Sequence, residues 1–479
     1  MATVRRAAPD IIGVVLVAVV VLVIAGHAFP NFDAFYALVW GRDLIHGRTP
    51  DYFAPAAPAA HPLLNAVAAL ANLLGKAGAV GAMRFAGPVA VGALCVGLFR
   101  LGQALYAWPV GLVAAAVFAT RAPTLAYGAQ TYVDLPTTAL IVWAAVLEAR
   151  HPRRGFSVLL LLGLAGLLRP EVWLMTAVYW IWLLPGRTSA ERLGLGALAL
   201  AGPLLWLLSD LAVTGDALTG FRPLHVTIPE THLSFPNPSE TRTGLLSAPD
   251  AVARDLGNFI RPVPLAMAVG GLVAGAVCFR RKTLLPAAIA VLNTGAVVIT
   301  TAAGAAIEQR YLFPTAAMMA LFVGVLAAGW LALPPESSLR RGWSAVAVCG
   351  LAALLAFGVS DVRRLHRVRS NLAAQNRAES DLRALVGRRR AVRTLQSSRV
   401  VYVQTARPLP FLAFWTAQQP HNFSTAAPGA ATDRALIAGQ SAAAARYLTG
   451  KGPLTASSAV PPGYRPVLSS ASWMLYVRR

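Results

Sequence analysis

Long apolar runs separated by short, arginine-marked connections fill the first 360 residues of the chain. They lie near 10–29, 80–100, 108–121, 131–149, 155–169, 171–185, 193–210, 263–279, 284–305, 310–332 and 342–360. A membrane span needs roughly 20 apolar residues. The pattern therefore predicts an all-α, multi-spanning membrane protein of about eleven transmembrane helices. The stretch 62–75, PLLNAVAALANLLG, is too short to span and reads as a surface or re-entrant helix. Between it and the first run lies a polar, aromatic, proline-marked loop, residues 29–62. Within that loop Phe32, Phe35, Tyr36, Leu38, Val39, Leu44 and Ile45 recur close to helical spacing. This predicts an amphipathic helix over Asp33–Ile45 lying along the membrane surface, with Asp33 near its start. Gly47 breaks the helix, and Pro50, Pro55, Pro58 and Pro62 keep the following chain extended or turned.

After residue 360 the pattern changes. Residues 361–400 carry many arginines, SRVVYVQ and SWMLYVRR read as short strands, and 433–449 reads as a helix between them. The expected organisation is a transmembrane domain over 1–360 and, over 361–479, a basic juxtamembrane helix with a small soluble α/β domain. The triplet Asn422-Phe423-Ser424 matches a glycosylation sequon, a pattern common by chance.

Composition agrees with the runs and excludes a soluble globular domain: 56% of residues are hydrophobic, 13% are charged, and the mean hydropathy is +0.58. A net charge of +22 would suggest a nucleic-acid partner in a soluble protein. Here Arg100, the group Arg150, Arg153 and Arg154, Arg187 with Arg192, the group Arg280, Arg281 and Lys282, and Arg340 with Arg341 all fall on one side of the alternation. That is the positive-inside distribution. It places the N-terminus in the cytoplasm, and the 29–62 loop, the second large loop 211–262 and the end of the chain on the extracytoplasmic side of an inner (plasma) membrane. The arginines of 361–400 then suit anionic lipid, and no nucleic-acid partner is expected, because no basic groove is interleaved with stacking aromatics. Cys95, Cys278 and Cys349 lie in apolar runs without metal-ligand spacing and read as packing residues.

Three carboxylates stand at the outer ends of spans: Asp134 in TYVDLPTT, Glu171 in LLRPEVW and Glu308 in IEQRYLFP. A carboxylate inside a helical bundle is costly unless it is solvated, paired or bound to something. Each also has a plainer reading, as a helix-start residue, a turn between antiparallel spans, or a surface ion pair of Glu308 with Arg310. Taken together they predict a polar cavity at the outer membrane face, roofed by the first loop. Arg169 and Arg310 are suited to phosphate, since a guanidinium fork matches phosphate oxygens and stays charged. Asp33 and Asp134 are suited to accept a proton from a hydroxyl or to hold a divalent cation. Tyr36, Trp40, Tyr132, Trp173 and Tyr311 are candidates to stack on sugar rings or line a lipid groove.

In layout, most of residues 1–360 resembles the GT-C superfamily of integral-membrane glycosyltransferases, which includes protein mannosyltransferases and aminoarabinose transferases. The resemblance is carried by Asp33 in a long first outer loop, GRDLIHGRTPDY with His61-Pro62, YVDLPTTAL, LLRPEVWL, TGDALTG at 214–220 and EQRYLFP. It implies transfer of a hexosyl or pentosyl group from a polyprenyl-phosphate-linked donor to a lipid, glycan or protein acceptor at the extracytoplasmic face. It also implies that Asp33 is the catalytic base or a metal-linked residue, and that Asp134, Arg169, Glu171, Glu308, Arg310, Tyr311 and His61 contact substrate. Many members carry an acidic pair where this chain has Asp33 followed by Ala34, which leaves dependence on a divalent metal open. A transporter or flippase of lipid-linked saccharide is the first alternative. It predicts charges near the bilayer midplane and related halves, whereas here the charges sit at span ends and no repeat is found. A non-catalytic scaffold would leave the first loop unexplained.

Overall fold

The computed structural model describes residues 2–221, 246–302, 308–425, 434–449, 460 and 463–478. Residues 222–245, the greater part of the second large loop, fall outside that set. In chain order the helices begin with α1 (Ala2–Ala25), α2 (Phe32–Ile45), α3 (Pro62–Asn72), α4 (Gly75–Leu105), α5 (Trp108–Ala119) and α6 (Ala122–Ala129). They continue with α7 (Asp134–Arg150), α8 (Phe156–Gly166), α9 (Val172–Leu183), α10 (Ser189–Thr214), α11 (Ala248–Ile260) and α12 (Pro262–Cys278). Then follow α13 (Arg280–Ala302), α14 (Phe313–Ala328), α15 (Ser338–Val386), α16 (Arg389–Ser397), α17 (Leu409–Thr416) and α18 (Ala442–Thr449). Helices α3, α5, α6, α11, α12 and α14 all carry proline in their first two positions, where the missing N–H costs nothing and the fixed φ favours the first turn.

Every expected run is helical among the described residues, but the helices differ in length. Six are long and apolar enough to cross a membrane, or up to eight if each of two bent pairs counts as one span. The bent pairs are α5 with α6, at 67°, and α11 with α12, at 105°. The number eleven is therefore not reached by length and composition. Helix α8, with 11 residues, and α9, with 12, occupy expected runs yet fall well short of a bilayer crossing.

The chain forms two compact units from interleaved segments. The first comprises Met1–Ala25, Phe85–Trp206 and Ser239–Val368; the second comprises Gly26–Arg84, Leu207–Pro238 and Arg369–Arg479. This grouping differs from a division at residue 360, because the first loop joins the C-terminal segment. In the first unit α14 is the centre, with Phe313, Leu321, Phe322 and Val323 fully buried and α5, α12 and α13 packed around it. Glycines permit the closest of these approaches: a Cβ on Gly271 would strike the Phe322 carbonyl, and one on Gly324 would strike the Val110 carbonyl.

In the second unit α2 is buried on all sides from Ala34 to Asp43, unlike the expected surface helix with one polar face. Asn31 caps it by accepting from the Ala34 amide at 2.7 Å. The proline-marked chain that follows folds back along it: the Tyr36 hydroxyl donates to the Pro55 carbonyl at 2.5 Å, and the Trp40 indole to that of Asp51 at 3.0 Å. Burial, with the Asp51 charge adding to it, raises the Tyr36 phenol well above its ordinary pKa, so it remains a donor. Helix α17 covers another side, with Phe35 and Phe411 rings 5.1 Å apart and Arg42 Nη1 donating to the Ala413 carbonyl at 3.0 Å.

The same unit holds one five-stranded sheet of order β2-β1-β3-β5-β4, with β1 (Val400–Val403), β2 (Phe423–Ser424), β3 (Arg434–Gly439), β4 (Tyr464–Ser469) and β5 (Trp473–Arg478). Strand β1 runs parallel to β2 and β3, and β5 is antiparallel to β3 and β4. The two strands expected from SRVVYVQ and SWMLYVRR are β1 and β5. The helix expected over 433–449 is corrected to β3 followed by α18, because a central strand buried on both faces reads as one apolar run without a period of two. Trp473, fully buried, donates to the Ala378 carbonyl at 2.7 Å and fixes the sheet to α15.

Candidate active site

The first unit draws together three places distant in sequence: the start of α7, the turn between α8 and α9, and the 3-10 turn Gln309–Leu312 ahead of α14. Thr131, at φ 57°, turns the chain so that Asp134 opens α7. Helix α8 ends with the Arg169 amide on the Ala165 carbonyl at 2.9 Å, and Pro170 separates Arg169 from Glu171. The Tyr311 amide closes the third turn on the Glu308 carbonyl at 3.0 Å.

Asp134 is the hub, with 3% of its surface exposed. Arg169 Nε donates to Asp134 Oδ1 at 2.9 Å, and its Nη2 reaches the same oxygen. Arg169 Nη1 also stands 3.9 Å from Glu171 Oε1. Arg310 binds Glu308 through Nε at 2.5 Å and Nη2 at 3.1 Å, and its Nε lies 4.0 Å from Asp134 Oδ2. Both guanidiniums stack on aromatic faces, Arg169 4.2 Å from the Tyr311 centroid and Arg310 4.8 Å from that of Tyr132. Three carboxylates thus surround two arginines.

Asp134, Arg169, Glu171, Arg310 and Tyr311 line a small, partly open cavity together with Thr137 and Asn293. Asp134 Oδ2 and Glu171 Oε2 are buried in it and accept no hydrogen bond among the described residues. A buried acceptor without a donor is costly, so the cavity is suited to a ligand that brings donors such as hydroxyl groups. The arginines expected to be open to phosphate are already neutralised by carboxylates, and a phosphate would enter by exchange.

Of the expected site residues, Asp134, Arg169, Glu171, Glu308, Arg310 and Tyr311 meet in this cluster. Asp33 and His61 belong to the second unit: Asp33 is half-buried in the first turn of α2, and His61 is buried just before α3. Thr137 and Asn293 were not foreseen. The Asn293 amide donates to the Tyr311 carbonyl at 3.1 Å and to Thr315 Oγ1 at 3.0 Å, fixing the turn that carries Arg310. A lone asparagine within an apolar run was the available signal. Among the described residues no three His, Cys, Asp or Glu side chains group to hold a metal ion. At Asp134 the guanidinium already takes the place a cation would fill.

No protein-family model and no curated protein matches the sequence. Solved structures do match. ArnT from Cupriavidus metallidurans bound to undecaprenyl phosphate aligns with TM-score 0.57 and 13% identity, over 97% of this chain and 97% of that one. Its apo form gives 0.52 and 14% over 98% of each chain. The chain has the GT-C fold. The Archaeoglobus fulgidus oligosaccharyltransferase in its apo form, also a GT-C protein, aligns with TM-score 0.50 and 11% identity over 87% of this chain and 64% of that one. The GT-C likeness is one of fold, and with the long apolar helices it makes this a multi-pass membrane protein.

Proposed function

We propose that this protein transfers a hexosyl or pentosyl group from a polyprenyl-phosphate-linked donor to a lipid, glycan or protein acceptor at the extracytoplasmic face of the inner membrane. The observation that carries the reading is the enclosed cluster of Asp134, Arg169 and Arg310 in a chain that shares, along 97% of its length, the fold of a protein bound to undecaprenyl phosphate. In the reaction the bond between the sugar anomeric carbon and the phosphate oxygen breaks, and a bond from that carbon to the acceptor oxygen forms. The leaving phosphate takes the electron pair as an already stabilised anion and needs little acid help. The enzyme's work is to position the acceptor, take its proton and neutralise the phosphate.

The GT-C resemblance assigns the proton to the Asp33 carboxylate. Arg310 and Arg169 are suited to the phosphate by leaving Glu308 and Asp134 for its oxygens, a charge-matched exchange of one anion for another. The released Asp134, with Glu171, then has acceptors for sugar hydroxyls. His61 is assigned to substrate by resemblance alone.

The reading is tested with labelled sugar on a panel of polyprenyl-phosphate donors, using membranes that contain the full chain. Transfer from one donor is expected, and Arg310→Gln should raise the donor KM about 10- to 100-fold, the worth of one lost hydrogen bond to a charged group. Absence of transfer from every donor, together with movement of lipid-linked saccharide across the bilayer, would replace the transferase with a transporter.

A further inference from the structure

Two helix pairs of the first unit are sharply bent, and both bends meet one carboxylate. Arg121 stands at the break between α5 and α6, and Arg261 at the break between α11 and α12. Arg121 is buried, with Nη2 2.8 Å from Asp361 Oδ2 on α15. Its Nε donates to the Val117 carbonyl at 3.1 Å and its Nη1 to the Ile260 carbonyl at 3.4 Å. These carbonyls belong to the last turns of α5 and α11, where the helix offers them no partner of its own. One guanidinium thus ties the ends of two helices to a third. Arg261 adds a looser link, with Nε 3.9 Å from Asp361 Oδ1. Its backbone holds φ 80° and ψ 154°, a state that a residue with a side chain keeps only where its surroundings over-determine it.

The helices fixed at these breaks lead to the candidate site from two sides. Helix α6 runs from Arg121 into the Thr131 turn that opens α7 at Asp134. On α11 the Asp255 carbonyl accepts from Gln309 Nε2 at 3.2 Å, next to Arg310. Aromatic rings join the same points. Phe259 of α11 stands edge-on 5.0 Å from Phe313, and Phe313 5.7 Å from Tyr127 of α6. Tyr127 in turn lies 4.9 Å from Tyr132, whose ring carries the Arg310 guanidinium. Edge-to-face pairs have a preferred geometry, so a shift of α6 against α11 is passed to Tyr132 and to the turn that holds Arg310.

We propose that Asp361 and Arg121 are positioning residues for the donor phosphate: by pinning both helix breaks to α15 they set where Arg310 stands against Asp134. The inference rests on the proposed transfer in assigning Arg310 to phosphate. Asp361 and Arg121 act through α6 and α11, since other residues line the cavity. A pin that served only the fold would lower stability and leave the affinity for phosphate independent of Arg310.

The test titrates the full-length protein in detergent with a polyprenyl monophosphate, the leaving group of the proposed transfer, and reads binding by native mass spectrometry. Asp361→Asn should weaken binding roughly 2- to 30-fold, the range for residues that act on a site through a packed network. In a double-mutant cycle, Asp361→Asn with Arg310→Gln should bind no more weakly than Arg310→Gln alone, because Asp361 acts through Arg310. Tyr127→Leu, which removes two ring contacts without touching a charge, should show the same pattern and decides the matter if Asp361→Asn does not fold. Asp10→Asn, which breaks the 2.6 Å pair with Arg100 elsewhere in the same unit, should leave binding unchanged. Additive losses in the cycle, or unchanged binding in Asp361→Asn and Tyr127→Leu, would overturn the positioning role and leave the transferase reading in place. A wild type that binds no polyprenyl monophosphate would take phosphate from Arg310, and the transferase reading and the positioning role would fall together.

Discussion

Asp134 answers to two arginines at once, and its position at the first turn of α7 explains why one carboxylate can do so. Its Oδ1 takes Arg169 while Oδ2 faces Arg310 at 4.0 Å, so losing the charge would leave two stacked, largely buried guanidiniums with less compensation. Breaking one side of a buried pair costs about 3–5 kcal/mol, whereas removing both sides together costs much less. Asp134→Asn and Arg169→Met should each lower the thermal unfolding midpoint in detergent, and the double variant should lie well above the sum of the two losses. Strict additivity would mean the pair is not coupled. At this scale the sequence was informative wherever a formal charge interrupted apolar text: Asp134, Arg169, Glu171, Glu308 and Arg310 stand out against their neighbours because an uncompensated charge there is expensive. Thr137 does not stand out, and Asn293 does so only as a lone amide in an apolar run, since neutral polar side chains in spans satisfy themselves on their own backbone or on a neighbouring element. Thr137 does so on the Val133 carbonyl at 2.8 Å. That the arginines are held by carboxylates depends on side-chain distances that no linear spacing encodes.

Among the elements, the central helix α14 is placed by backbone-to-backbone contacts that only glycine allows. Gly271→Ala would push a methyl group into the Phe322 carbonyl, and overpacking of this kind costs about 1–3 kcal/mol. Its unfolding midpoint should fall, while Gly358→Ala, with open space around its added carbon, should leave the midpoint unchanged or slightly higher through its better helix propensity. Equal behaviour of the two variants would contradict the packing of α12 against α14. The positions of the helices were legible because apolar runs must be long to cross a bilayer. Their lengths were less so, since α8 and α9 are apolar throughout and the flanking Arg169-Pro170-Glu171 does not show where each helix stops. Strand β3 was misread for the reason its burial gives: with Ala435 to Ala438 all inside, no alternation marks it. Helix α2 was located to within one residue, but its apolar spacing does not reveal that α3, α17 and its own following loop enclose it.

For the whole molecule, the GT-C layout was visible in the order of motifs and charges, and the fold comparison bears it out. The grouping of the first loop with the C-terminal sheet was not visible, because contacts such as Arg42 to the Ala413 carbonyl join segments far apart in the chain. Asp134, Arg169 and Arg310 belong to the first unit, and Asp33 belongs to the second. The central claim is that the molecule transfers sugar with Asp33 as base. The most direct measurement is transfer of labelled sugar from polyprenyl-phosphate donors in membranes carrying wild type or Asp33→Asn at matched expression. The account predicts transfer by the wild type and a loss of at least about 100-fold in the variant, the scale of general-base catalysis. Equal transfer by both would remove Asp33 from the chemistry and contradict the mechanism.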